Sequence, residues 1–175
     1  MMVSLVASYR SFFRKVESAV SPIDGILFFV RAYIANVFYA SAKTKMDGFL
    51  SLNDFTIDLF YNEYGFPLFE YGCKPVTDEW GDTYEMCQEI LSAETAAHLA
   101  MYGEVFFPLM LMIGLASRLG AAGLMAMTLF IQFYVYPAQF HEHLVWFAAL
   151  ALVFLAGPGR ISIDALVAKR ISPTG

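Results

Sequence analysis

Long apolar stretches separated by short polar segments dominate the hydropathy pattern of this chain. Four of them have, or approach, the length of a membrane-spanning helix, which is about 20 residues with a lower limit of about 17. They cover residues 22–42, 95–117, 119–137 and 144–156. The fourth is short unless it also takes in residues 141–143. The pattern therefore predicts four membrane-spanning helices, an even number that returns the chain to its starting side.

The polar residues around these stretches predict the rest of the organisation. Residues 1–20 place apolar positions between Arg10, Arg14 and Lys15, which predicts an amphipathic arm on the cytoplasmic surface. Residues 21–175 then form the membrane domain, with a long loop over residues 44–94. Residues 117–120 are the predicted link between the second and third helices, and so short a link makes them antiparallel neighbours.

Composition changes the picture by excluding whole classes of protein. The 175 residues are 58% hydrophobic and 15% charged, whereas a soluble domain is about 45–50% apolar and about 25% charged. This excludes a soluble globular domain and a disordered chain. The net charge is -5 and no basic stripe is present, which argues against nucleic acid as a partner. The expected class is an all-α membrane protein.

The distribution of charge predicts the orientation of the helices. With the N-terminus in the cytoplasm, seven bases lie on the inner side: Arg10, Arg14, Lys15, Arg118, Arg160, Lys169 and Arg170. Three bases lie on the outer side: Lys43, Lys45 and Lys74. Positive residues favour the cytoplasmic side. We therefore expect both termini in the cytoplasm and an acidic extracytoplasmic loop between the first two helices, with eleven acids against two bases over residues 44–94.

The two cysteines, Cys73 and Cys87, both fall in this acidic loop. Their spacing indicates neither a thioredoxin-like motif nor a zinc ribbon. In an oxidising compartment they would form a disulfide that closes a loop of about 15 residues. The alternative is a pair of unrelated thiols.

Two charged residues, Arg31 and Glu104, each lie near the middle of an apolar segment. Counted from the segment ends at a rise of 1.5 Å per residue, both lie roughly 13 Å from a membrane boundary. An isolated charge there costs about 2.5–3.5 kcal/mol, so opposite charges at one depth suggest a pair. The pair is either a polar ligand pocket or proton path, or a bridge that only fixes helix packing. Polar neighbours that would enlarge a pocket are Tyr33, Asn36, Tyr102 and Gln132.

The three histidines, His98, His141 and His143, are expected on one side of the membrane. They suggest either copper or zinc ligands or ordinary hydrogen-bonded interfacial histidines. The sequence contains no Walker A loop, GxGxxG, GxSxG, HExxH or haem CxxCH motif. We therefore do not expect this chain to carry difficult chemistry alone.

Several of these residues together resemble the DoxX family of four-helix membrane proteins. They are Arg31, Lys43, Gly103, Glu104, residues 111–119 and the tail GPGRISID over residues 157–164, similar to the family's GPGxxSxD ending. Tyr136, Pro137 and residues 143–146 are similar to a subgroup found beside metal-stress and bufferin-type gene clusters. The resemblance covers residues 22–167, interrupted by an outer loop longer than usual for the family.

The resemblance implies a function, because the family is named after a subunit of thiosulfate:quinone oxidoreductase. It implies a subunit of a quinone-linked redox system in the bacterial inner membrane, with Arg31 and Glu104 as the buried polar pair. The implied partners are lipids, other redox or stress-system subunits and a second copy of the chain. The alternative is a non-catalytic helper in metal (copper) or oxidative stress that acts through its periplasmic face. The loop with Cys73 and Cys87 departs from the family pattern and argues against transfer of the thiosulfate activity.

Overall fold

The computed structural model describes residues 21–65 and 68–171 of the chain. The predicted amphipathic arm over residues 1–20 lies outside the described residues. The described helices are α1 (Pro22–Thr44), α2 (Asp54–Asn62), α3 (Ala93–Ile113), α4 (Ser117–Phe130), α5 (Phe140–Ala156) and α6 (Ile163–Ile171). The described strands are β1 (Met46–Gly48), β2 (Ser51–Leu52), β3 (Leu68–Thr77) and β4 (Thr83–Leu91).

Four helical segments are long and apolar enough to cross a membrane. They are Pro22–Thr44, Ala93–Ile113, Ser117–Val135 and Pro137–Ala156. The third continues α4 through a wider turn over Ile131–Val135, and the fourth begins with one turn of 3-10 helix before α5. The four-helix membrane fold predicted from the sequence is confirmed.

One predicted link is wrong. Residues 117–120 are not the link between the second and third spans but the first turn of α4, and the link is residues 114–116. The chain turns there because Gly114 and Ala116 both take left-handed backbone angles, with φ of 72° and 47°. The fourth span does take in residues 141–143, because it already begins at Pro137, whose fixed φ suits a first helical turn.

The described chain divides into two compact units. The membrane unit runs up to Ala40 and resumes at Glu104, and the hairpin unit runs from Ser41 to Gly103. All four spans contribute to the core of the membrane unit. Its buried residues are Ile34, Ala35, Phe38, Leu111, Ala121, Leu124, Leu150 and Val153.

The hairpin unit contains two antiparallel strand pairs, β1 with β2 and β3 with β4. Asn53 caps α2 by accepting a hydrogen bond from the Thr56 N–H at 2.8 Å. Cys73 and Cys87 are joined by a disulfide across β3 and β4, with their Cα atoms 4.0 Å apart. The acidic loop thus holds strands that the hydropathy pattern does not predict.

Gly114, which ends α3, is packed against two other segments. The Leu115 N–H bonds back to the Met110 carbonyl at 3.0 Å, which satisfies the end of the helix. A Cβ atom at position 114 would collide with the Arg31 guanidinium and lie 2.5 Å from Cβ and 2.8 Å from Cα of Ser162. The first turn of α6 and the Arg31 side chain can approach α3 only because residue 114 has no side chain.

We expect Gly114→Ala to destabilise the protein by about 1–3 kcal/mol, because both the positive φ and the packing oppose a Cβ. The matched control is Gly25→Ala in the first turn of α1, where a Cβ meets nothing within 4 Å. That change should leave stability unchanged or raise it by about 0.5–1 kcal/mol. Thermal unfolding in mild detergent measures both. Equal stability of the two variants would contradict the packing assigned to Gly114.

Candidate functional site

Arg31 lies in the middle of α1 and is 1% exposed. One terminal nitrogen of its guanidinium donates to the Leu111 carbonyl at 3.1 Å, and the other donates to the Ile161 carbonyl. Its planar group also lies 5.8 Å from the centre of the Phe28 ring. Leu111 is in the last turn of α3, where the helix dipole is negative, so the position favours a cation. Arg31 therefore holds the end of α3 and the chain before α6 against α1.

Glu104, the partner suggested by the sequence, is also buried, at 3% exposed. It precedes Leu111 by seven residues, which is two helical turns or about 10 Å along α3. Side chains on a helix lean toward its N-terminus. Because α1 and α3 are antiparallel, the side chains of Arg31 and Glu104 lean in opposite directions. Equal depth of the Cα atoms therefore does not bring the two charges together, and the described contacts of Arg31 are with other groups.

Asp24 fastens the first turn of α1 to the chain that follows α5. One carboxylate oxygen accepts from the Ser21 N–H at 2.9 Å, the pattern of a helix capping box. The other accepts from the Arg160 N–H at 2.8 Å. Gly159, with a φ of 76°, passes so close that an added Cβ would lie 3.1 Å from this oxygen.

Asp164 makes the corresponding link to α4. Its two carboxylate oxygens accept from the N–H groups of Ala116 at 2.7 Å and Ser117 at 2.9 Å. Its own N–H donates to the Gly114 carbonyl at 2.8 Å. Ser162 caps α6, since its hydroxyl accepts from the Ala165 N–H at 3.1 Å. The tail motif over residues 157–164 thus joins three helix ends to α6.

We call Asp24, Arg31 and Asp164, with the backbone groups they bind, the inner polar cluster. Its described hydrogen bonds run from these side chains to backbone groups just before α1, at the end of α3, at the start of α4 and in the chain before α6. Each terminal nitrogen of Arg31 donates to a backbone carbonyl, and the side chain is 1% exposed, so a ligand has no access to it. Of the two interpretations from the sequence, the geometry around Arg31 favours the packing role.

The other residues of the predicted pocket do not converge on Arg31. Tyr33 is 59% exposed and Asn36 is exposed. At 100° per residue these positions lie about 200° and 140° around α1 from Arg31, on the far side of the helix. Tyr102 belongs to the hairpin unit, 38% exposed, with its ring 6.1 Å from that of His98.

A second polar site lies near the opposite end of the membrane unit, where α4 ends and α5 begins. His143 is 4% exposed, and its Nδ1 lies 2.7 Å from Oε1 of Gln132. The Nε2 of Gln132 donates to the Pro137 carbonyl at 2.8 Å. Gln132 sits in the wider turn over Ile131–Val135, where the Tyr136 N–H bonds five residues back to Ile131. Such turns occur frequently at functional sites.

These contacts fix the protonation of the neutral imidazole. The Pro137 carbonyl can only accept, so the amide NH2 of Gln132 faces it and the amide oxygen faces His143. Nδ1 of His143 must then carry the hydrogen, which leaves the lone pair of the neutral ring on Nε2. Among the described residues Nε2 has no hydrogen-bond partner, and it is not among the enclosed polar atoms.

One aromatic ring lies against this histidine, and a second packs against the first. The Trp146 ring lies 5.1 Å from the His143 ring, and Phe38 packs edge-on against Trp146 at 5.6 Å. The site therefore combines one fixed hydrogen-bond acceptor with an apolar wall, which is typical of sites for amphipathic ring compounds. The sequence names Gln132 and His143 separately but does not link them, because the contact depends on the wider turn.

The remaining histidines suggested as metal ligands, His98 and His141, lie beside groups that are not metal ligands. His98, in the hairpin unit, has its Nδ1 2.9 Å from the Glu94 carbonyl of its own helix. His141 is exposed, beside the Phe140 ring. Within the described ranges, the group of three potential ligands close enough for one ion is Glu70, Cys73 and Cys87. Its two cysteines share a disulfide and so offer no thiolates.

Comparison with known proteins gives one family match. The family model described as DoxX matches residues 26–137 of this chain, which is more than half of its length. The matched region includes Arg31, Glu104 and Gln132 and ends before His143 and the tail motif. No curated protein and no solved structure matches the chain.

We expect Arg31→Ala to lower the free energy of unfolding by about 3 kcal/mol or more, because two carbonyls lose charged donors worth about 1.5–3 kcal/mol each. Arg31→Lys should lose less, since an ammonium keeps the charge but not the fork that reaches both carbonyls. Thermal unfolding in detergent measures the change, with exposed Arg170→Ala as the control. An Arg31→Ala protein as stable as Arg170→Ala would contradict this role.

Asp164 makes stability depend on pH. Burial disfavours its charged form, but the N–H donors of Ser117 and Ala116 and the charge of Arg31 outweigh this, so its pKa lies below the ordinary 3.8. A carboxylate with a lowered folded pKa contributes stability that is complete above 3.8 and is lost as the pH falls through the folded pKa.

Acid titration of thermal stability tests this contribution. We expect Asp164→Asn to be less stable than the wild type near neutral pH and to lose less stability on acidification. Similar pH profiles for the two proteins would show that Asp164 does not carry the effect.

Proposed function

This chain belongs to the DoxX family, and from that premise we propose that it is a membrane subunit of a redox system that binds a quinone beside His143. The observation that carries the proposal is the Gln132–His143 contact of 2.7 Å, which fixes Nδ1–H and leaves the Nε2 lone pair for a ligand. A multi-pass membrane protein with such a site, in a family named after a quinone-linked enzyme, fits a role near the quinone pool.

The residues around His143 fit the chemistry of a quinol head group. A quinol presents O–H donors on an aromatic ring, and Nε2 of the neutral imidazole accepts a hydrogen bond. Trp146 offers a flat apolar surface 5.1 Å from the imidazole for the ring of the ligand. When bound, a quinone supplies two-electron, two-proton exchange with a partner subunit that brings the electrons.

Each protein residue then has a defined part. Gln132 holds the imidazole in one tautomer, as outer partners commonly do for functional histidines. His143 binds the ligand O–H and is placed to take its proton. Arg31 acts on packing rather than on the ligand, because its side chain is enclosed and bonded to two backbone carbonyls. Glu104 stays a predicted proton-conducting group.

The proposed location is the bacterial inner membrane, with both termini in the cytoplasm and the hairpin unit outside. Four described bases lie in or near α4 and α6: Arg118, Arg160, Lys169 and Arg170. Basic residues prefer the cytoplasmic side of a membrane, so their position supports a cytoplasmic location for this end of the membrane unit. The disulfide of the hairpin unit supports an oxidising exterior. In this orientation His143 faces the outer leaflet, and the hairpin unit is available to an extracytoplasmic partner.

The second candidate is a non-catalytic helper in copper or oxidative stress. It is favoured by the disulfide-bonded hairpin, which carries exposed apolar side chains at Trp80, Met86 and Ile90 for a partner to contact. Titration calorimetry with copper tests whether the helper acts by binding the metal. The absence of copper binding would exclude that role.

The main test measures quinol bound to the purified full-length chain. The protein is exchanged under anaerobic, reducing conditions into nanodiscs that contain ubiquinol or menaquinol, the reduced forms that carry O–H donors. It is then repurified and extracted, and the quinol is counted per mole of protein. We expect His143→Ala to retain about three- to tenfold less quinol than the wild type, the equivalent of one hydrogen bond. The control is His141→Ala, an exposed histidine of the same helix.

Gln132→Leu gives a second reading that separates positioning from folding. It should weaken quinol binding while thermal stability falls only modestly, because it removes the partner that fixes the imidazole. A wild type that retains neither quinol would contradict the proposal. Equal retention by His143→Ala and His141→Ala would do so as well.

A further inference from the structure

A groove of about 480 Å³ opens in the membrane unit where α4 begins and α5 ends. Its walls come from the start of α4, from residues 156–159 and from one face of α6. Most of the lining is small or apolar, with Arg118 and Asp164 as its charged members. Because two membrane spans end here, the groove lies at the level of lipid head groups.

Arg118 is the cation of this groove. It is exposed, and among the described residues it has no hydrogen-bond or ion-pair partner. Its guanidinium lies over Gly157, where an added Cβ would be 3.6 Å from the nearest terminal nitrogen. The first turn of a helix disfavours a cation by itself, because the helix dipole is positive there. An anion in the groove would offset the repulsion between Arg118 and the helix dipole and would accept hydrogen bonds from the guanidinium.

Among the described residues the neighbouring acids, Asp24 and Asp164, form no ion pair with Arg118, and their oxygens bind backbone groups instead. Both oxygens of Asp164 accept from the N–H groups of Ala116 and Ser117. Those of Asp24 accept from the N–H groups of Ser21 and Arg160. The α6 helix adds Lys169 and Arg170 in its last turn. With Arg118 and Arg160, the bases at this end of the membrane unit outnumber Asp24 and Asp164, so it carries an excess of positive charge.

The α6 helix also has the character of an interfacial helix. Leu166 is 60% exposed and Ile171 is 75% exposed, beside the two bases of the last turn. Exposed apolar and basic residues on one short helix are typical of segments that lie on an anionic membrane surface. Ala165 and Ala168 of the same helix line the groove.

We propose that this groove binds the phosphate head group of an anionic phospholipid, with Arg118 as its contact to the phosphate. A guanidinium suits this role because its fork of N–H donors matches phosphate oxygens. The small side chains leave room for the glycerol end, and the exposed apolar residues of α6 lie beside the acyl chains. This site is independent of the quinone proposal and of the end at which His143 lies.

Native mass spectrometry of the full-length chain tests the site. The protein is released from nanodiscs of phosphatidylglycerol and phosphatidylcholine, and the lipids that stay bound are counted. We expect retained phosphatidylglycerol, reduced about tenfold in Arg118→Ala by loss of one charged contact. Arg118→Lys should retain an intermediate amount. Ala168→Phe should reduce binding by filling the groove with no change of charge.

Arg170→Ala is the matched control, because it removes the same charge outside the groove. If Arg118→Ala and Arg170→Ala lost equal amounts of bound phosphatidylglycerol, the proposal would be overturned, because the lipid would then be held only by general attraction to the positive surface. So would equal retention of phosphatidylcholine and phosphatidylglycerol, or no retained lipid in the wild type. Excess inorganic phosphate that displaces the lipid completely would identify a free anion as the occupant and overturn the lipid assignment.

Discussion

A guanidinium buried in a membrane-spanning helix is the constraint on which the rest of this structure depends. Arg31 is 1% exposed, and an arginine at such depth must be solvated by protein groups. Carbonyl oxygens are freely available only where a helix ends or the chain is irregular. The end of α3 and the chain before α6 supply them, at separations of 80 and 130 residues from Arg31. Satisfying one side chain therefore fixes where three segments meet.

The sequence predicts the spans well because hydropathy and length suffice for them. It also predicts that Arg31 needs polar partners, since the free-energy cost of a charge in an apolar segment can be inferred without coordinates. It does not predict that these partners are the carbonyls of Leu111 and Ile161. Depth counted along the chain locates the Cα of Arg31 and of Glu104, whereas their charged groups lie at the ends of long side chains that lean in opposite directions. The link at residues 114–116 was missed for a related reason, since the cap on Ala116 and Ser117 comes from distant Asp164.

The site beside His143 illustrates a different limit. Gln132 and His143 are both recognisable as polar residues near a membrane boundary, but their contact depends on a turn that residue periodicity does not reveal. The strands β3 and β4 are hidden in the same way, because neither keeps a regular alternation of apolar and polar positions along its length. The hydropathy pattern therefore predicts the fold class but not the local backbone geometry of these segments.

The tail motif that closes the inner polar cluster also orders events during synthesis. A ribosome makes Ala116 and Ser117 well before Asp164, which follows Ala116 by 48 residues. Until then the first amides of α4 have no carboxylate, and Arg31 lacks its second carbonyl from Ile161. Nascent spans therefore enter the lipid with their polar ends still unmatched. These contacts are completed only when Ile161 and Asp164 have been made, so maturation of the membrane unit waits for its tail motif.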